Sequence, residues 1–183
     1  MNPLITELKT RARLRLNSLR LDALKPAASD APATSPHAPQ AGPTRLRDCL
    51  NAVARELGFS GWPQALCVLG GQAANGDDMG AFWHAPRCNG LLSHWFARPD
   101  QARECLALGP ALGPRRVLLP YRRQFVVVDD HYLRELGLGI ADEAWGRAGR
   151  DLVLAYGSAA WQVLCGQRLR ASRRTPGGVS SIV

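Results

Sequence analysis

The chain has 183 residues, 46% of them hydrophobic, and 23 Lys and Arg against 15 Asp and Glu give a formal charge of +8. That length suits one domain with a real core, not two large ones, and the composition excludes a disordered polymer. No apolar run reaches the roughly 18 residues needed to cross a bilayer, and Lys9, Arg11, Arg13 and Arg15 interrupt any secretory-signal stretch, so the expected compartment is the cytoplasm.

Residues 3–24 read as a helix with Ile5, Leu8, Ala12, Leu16, Leu19 and Ala23 on one face at helical spacing. Lys9, Arg11, Arg15 and Arg20 flank that stripe, while Leu14 and Leu21 lie on the other side. Residues 1–25 are therefore expected to form a basic amphipathic helix. It either docks on the core or presents Leu8, Leu16 and Leu19 to a partner protein, a membrane surface or nucleic acid. Residues 26–43 carry Pro26, Pro32, Pro36, Pro39 and Pro43 among Ala, Ser and Thr, which predicts a flexible linker.

A globular domain is expected over residues 44–170. Thr44 is the predicted N-cap of a helix carrying Leu46, Leu50, Val53 and Leu57, and Gly58 the predicted left-handed stop. Pro63 opens a second helix running to about Leu69. The hairpin invites a helix-turn-helix reading, but Gln64 replaces an apolar anchor and the second helix has no basic residue, so the expectation is a packing unit.

Further on, Ala81–His84 and Leu91–Phe96 read as short strands, 99–108 as a helix, and Arg116–Leu119 and Gln124–Val128 as paired strands. The β-branched run at Phe125–Val128 predicts a central strand covered on both faces. Asp130 is expected to cap a helix through Leu136, with Asp129 balancing an arginine, and helices are expected over 142–155 and 158–169. The order predicts an α+β fold: a helical hairpin, then a small, mostly antiparallel sheet with flanking and C-terminal helices. A basic flexible tail, 171–183, follows.

The positive charge has a definite location. Residues 1–25 and 166–183 each carry a surplus of four, and the remainder has 13 basic and 13 acidic groups. Five widely spaced cysteines, with no Cys-x-x-Cys pair, fit a reducing compartment.

Three groups of residues could carry chemistry. Arg115, Arg116, Arg122 and Arg123 surround a Leu-Leu-Pro-Tyr turn, where guanidiniums could bind an anion, a phosphate backbone or an acidic partner, with Trp95, Phe96 and Tyr121 as stacking faces. With Arg11 and Arg15 they form the candidate anion- or nucleic-acid-binding set. His131 beside Asp129 and Asp130 could perform acid–base chemistry. His84, Cys88, His94 and Cys105 are conceivable metal ligands, but only His84 and Cys88 are closely spaced, so no metal site is expected. No phosphate-loop, nucleophile-elbow or zincin pattern occurs, and no cofactor is expected.

The stretch Leu50–Leu66, with Val53-Ala54-Arg55-Glu56-Leu57-Gly58-Phe59 and then Trp62, resembles a helical module of bacterial glyoxalase-related and ankyrin-associated proteins. The run from Asp77-Asp78-Met79-Gly80 through His94-Trp95-Phe96 to Leu119-Pro120-Tyr121-Arg122-Arg123-Gln124-Phe125 is similar to uncharacterised proteobacterial proteins. Neither resemblance implies a catalytic residue. The functional expectation is a non-catalytic binding or adaptor protein for a protein or acidic macromolecule, nucleic acid included. The alternative is a small enzyme using His131, Asp129 and Asp130, or His84, Cys88 and His94.

Overall fold

The run Phe125-Val126-Val127-Val128 is the middle of the sheet around which the other elements are arranged. In the computed structural model, which describes residues 2–24, 44–108 and 115–173, it belongs to β3 (Gln124–Asp129). β1 (Ser93–Phe96) and β2 (Arg116–Tyr121) flank it, giving the order β1-β3-β2 with both pairings antiparallel. The fold is α+β, as its element order predicts.

Alternation along the strands gives the sheet two different faces. Val117, Leu119, Val126 and Val128 point into the main core. Leu118 and Val127 point the other way, onto Ala102 of α4 (Pro99–Ala107), with Val153 closing that smaller layer. The outer edge of β2 is held by the Asp151 segment: Leu118 N donates to Arg150 O at 2.8 Å and Leu152 N to Leu118 O at 3.0 Å.

The main core is helical. α1 (Pro3–Leu24) contributes Leu4, Ile5, Leu8, Ala12 and Leu16. α2 (Leu46–Glu56) and α3 (Trp62–Leu69) pack beside it as the expected hairpin. α5 (Asp130–Glu135), α6 (Glu143–Arg147) and α7 (Ala159–Arg173) complete it. Trp83 and Trp161 meet edge to face, their ring centroids 5.6 Å apart, at its centre. Full burial of each large apolar side chain is worth about 1.5–3 kcal/mol, which offsets the entropy of ordering these short helices. Gly58, at φ +89°, reverses the chain after α2 so closely against Ala81 that a Cβ would lie 2.7 Å from the Ala81 carbonyl carbon.

Several local expectations are corrected. α1 shares one core cluster with the 44–170 body, and Leu8 and Leu16 lie inside that cluster, so no partner reaches them unless the helix is displaced; Leu19 is partly exposed. Segment 81–84 is a turn, not a strand: Gly80 takes a positive φ, and Phe82 and Trp83 plug the core side by side. The helix read over 142–155 stops at Arg147, because Gly149 and Arg150 both take positive φ and turn the chain towards β2. Arg45, not Thr44, is the N-cap of α2, where its N–H donates to Asp48 Oδ2 at 3.0 Å. The proline-rich segment 26–43 and the tail beyond Arg173 lie outside the described residues.

Candidate binding cleft at the hairpin turn

The β2–β3 connection is a two-residue turn, Arg122-Arg123, between the paired Tyr121 and Gln124. Such turns need positive φ, which glycine or asparagine supplies most cheaply. Here Arg122 takes it, at φ +50°. Its backbone is clamped on a loop from elsewhere in the chain: Arg122 N donates to Gly80 O at 2.7 Å, and Met79 N donates to Arg122 O at 2.9 Å. The guanidinium carbon lies 5.4 Å from the Tyr121 ring centroid, within cation–π range. Tyr121 in turn meets Trp95 edge to face at 5.0 Å.

Beside this turn a cleft of about 310 Å³ opens on the α4 side of the sheet. Pro99, Pro120, Phe125, Val153 and Leu154 supply apolar walls, and Arg122, Arg123 and Gln124 form a polar lip. Arg103 also lines it, but its Nε donates to Asp151 Oδ2 at 2.7 Å, which neutralises that charge. Tyr156 closes the far end, its hydroxyl accepting from Ala73 N at 3.0 Å and donating to Val68 O at 2.9 Å. Burial raises the Tyr156 phenol above its ordinary range, so it is a neutral hydrogen-bonding wall. Asp77 is the acid on the cleft wall, its Oδ2 accepting from Ala74 N at 2.8 Å. Among the described residues no carboxylate forms an ion pair with Arg122 or Arg123, and both are exposed.

The other sequence-derived arginines are placed differently. Arg115 and Arg116 lie at the opposite end of β2, about 20 Å from the turn at the usual rise of about 3.4 Å per residue, so the four guanidiniums are two separate pairs. Arg11 donates from Nε to Glu7 at 2.8 Å, from Nη1 to Ser172 Oγ at 3.0 Å and from Nη2 to the Leu169 carbonyl. Arg15 pairs with Glu56, and Arg173 with Glu7. These contacts tie α1 to α7 and α2, so Arg11, Arg15 and Arg173 are each engaged within the chain. Arg168 is only 9% exposed and donates to the Phe82 and Leu136 carbonyls, at 3.3 and 3.2 Å. Phe96, expected among the stacking faces, lies on the opposite side of the sheet from Trp95 and Tyr121.

Neither candidate catalytic group is assembled. Asp129 is the N-cap of α5, accepting from Tyr132 N at 3.0 Å, while Asp130 pairs with Arg134 at 3.3 Å, the reverse of the roles read from sequence. His131 is exposed. His84 engages both ring nitrogens, with Nδ1 2.7 Å from Tyr132 Oη and Nε2 2.8 Å from Asn89 Oδ1. His94 lies on the α4 side of the sheet, away from Trp95, the β1 residue that meets the His84 ring. Burial pushes the Cys88 thiol upward, away from the thiolate that metal binding or nucleophilic attack needs. Among the described residues no group of three His, Cys, Asp or Glu could hold a metal ion.

Sequence reading finds Arg122 and Arg123 but misses Arg103, Met79, Val153, Leu154 and Tyr156, which reach the cleft from three other segments and carry no local signal. Comparison of the chain with protein families, with curated proteins and with solved structures finds no match. The functional reading therefore rests on geometry. No helix of the described residues is long and apolar enough to cross a membrane.

Proposed function

We propose that this chain is a non-catalytic binding protein whose hairpin-turn cleft receives an acidic segment of a partner protein. The observation that carries this reading is Arg122: a long cationic side chain kept at a left-handed turn position, at the lip of an apolar cleft, without a carboxylate partner among the described residues. Backbone strain retained at an exposed cationic residue points to a use for the side chain. The cleft volume, about 310 Å³, suits one apolar side chain of the ligand, with neighbouring carboxylates reaching Arg122 and Arg123.

A protein ligand is favoured over nucleic acid because the cations form two distant pairs rather than a continuous strip tracking a phosphate backbone. All five cysteines are unpaired, which supports a reducing compartment and hence the cytoplasm.

The test is an array of labelled peptides, each with one Phe, Leu or Trp among Asp and Glu, read by fluorescence anisotropy, with a single-stranded oligonucleotide in parallel. Binding to a subset of peptides, weakened by salt and by about tenfold or more in R122A/R123A, is expected. Equal binding by the wild-type and double-variant chains, or tighter binding of the oligonucleotide than of any peptide, overturns the reading.

A further inference from the structure

The buried stripe of α1 ends at Leu16, yet the helix continues two further turns to Leu24. On its outer side Leu14 is 62% exposed, Leu21 64% and Leu24 78%. Leu14 and Leu21 stand seven residues apart with Leu24 three beyond, as a and d positions of a coiled-coil seam do, while Glu7, Thr10 and Asn17 fill the other places of the row. Towards the helix start this row runs into a groove of about 400 Å³ between α1 and α7, lined by Pro3, Glu7, Val163 and Gly166. Val163, 41% exposed, leaves an apolar wall of this groove partly uncovered.

Exposed cations outnumber acids around this row, where Asp22 is the exposed acid beside Leu21. Arg13 and Arg20 are exposed on one flank of the leucines, and Arg170 and Arg173 line the groove. Glu7, the acid on the row, is held by Arg11 and Arg173.

We infer that the outer face of α1 and its groove with α7 form a second docking surface, and that its occupant is an amphipathic helix of another protein with a leucine seam flanked by Glu or Asp. A second copy of this chain fits poorly, because pairing two such faces sets Arg13 and Arg20 among like charges. A bilayer fits poorly as well, because a membrane-surface helix buries a broad apolar face, whereas this seam is one leucine wide. The hairpin-turn cleft is built from other residues, so this surface stands or falls independently of it.

The experiment uses the full chain and a synthetic four-heptad peptide with Leu at the seam positions and Glu beside them. Isothermal titration is expected to show one-to-one binding that weakens by about tenfold or more in L14E/L21E and in R13E/R20E. Because Leu14 and Leu21 are exposed, L14E/L21E should keep the wild-type unfolding midpoint, which separates lost docking from lost folding. No peptide binding, or binding unchanged in both variants, overturns the inference. So does a wild-type dimer in sedimentation that L14E/L21E makes monomeric, which would make the occupant a second copy. Binding to phosphatidylglycerol vesicles without binding to the peptide overturns it in favour of lipid.

Discussion

Asp151 accepts the Arg103 Nε–H at 2.7 Å on one carboxylate oxygen and the Val153 and Leu154 amides, each at 2.9 Å, on the other. One buried carboxylate thus fixes α4, the edge of β2 and the wall of the hairpin-turn cleft. Removing it leaves two amides and a guanidinium without their acceptor, and each hydrogen bond to a charged group contributes about 1.5–3 kcal/mol. Asp151→Ala should cost about 3 kcal/mol in urea unfolding. Arg103→Ala should cost about 1, since the carboxylate keeps both amides. The reverse order would show that the ion pair, and not the turn, holds the segment.

Gly58 and Gly76 separate two costs that usually come together. Both sit at strongly positive φ, +89° and +90°. A Cβ at Gly58 would collide with the Ala81 backbone, whereas one at Gly76 would meet nothing within 4 Å. Gly76→Ala should therefore cost about 1 kcal/mol, the conformational penalty alone. Gly58→Ala should cost about 3 or more, because the chain behind α2 must shift as well. Equal costs in denaturant titration would mean that the turn against Ala81 is loosely packed.

The Glu7 clamp predicts a pH dependence. Burial alone would raise its carboxyl, but hydrogen bonds from Arg11 and Arg173 outweigh burial and hold it below its ordinary value of 4.5. A carboxyl depressed in the folded state adds stability that is fully present above about pH 4.5. That stability is lost as the pH falls through the lower folded-state value. Asp142, lowered by hydrogen bonds from the Ala144 amide and the Gln167 side chain, acts with the same sign below its own ordinary value of 3.8. Glu7→Gln should destabilise at pH 7 and converge on the wild type at low pH, measured by urea unfolding across the range. A constant difference at every pH would mean that the clamp carries no charge-dependent stability.

What could be read from sequence follows from the range of the forces involved. The Phe125–Val128 run announces a doubly covered strand because β-branched density is a local property, and Gly58 and Gly137 mark helix ends because positive φ is local too. The stripe through Leu8 and Leu16 declares an apolar face but not what covers it, and only the fold shows that the cover is this chain's own core. Arg115 through Arg123 look like one cluster because they lie close in sequence. An extended strand carries them apart, and the cleft beside Arg122 is assembled from distant segments held by contacts such as Tyr156 to Ala73 and Arg103 to Asp151. Such contacts leave no periodicity to read.

Arg122 offers the sharpest test of whether the turn is built for folding or for binding. A non-glycine residue at φ +50° carries a penalty of about 1 kcal/mol that glycine would not. The two backbone bonds to Gly80 and Met79 do not involve the side chain and would survive substitution. The side chain lies over the Tyr121 ring, a contact worth about 0.5–1 kcal/mol at an exposed site. Arg122→Gly should therefore leave stability unchanged or raise it by up to about 1 kcal/mol, while weakening the acidic peptides by about tenfold. Arg122→Asn should do the same, since asparagine also tolerates this conformation. A loss of stability in both variants, with peptide binding intact, would make the arginine a structural prop of the hairpin and move the search for a ligand elsewhere.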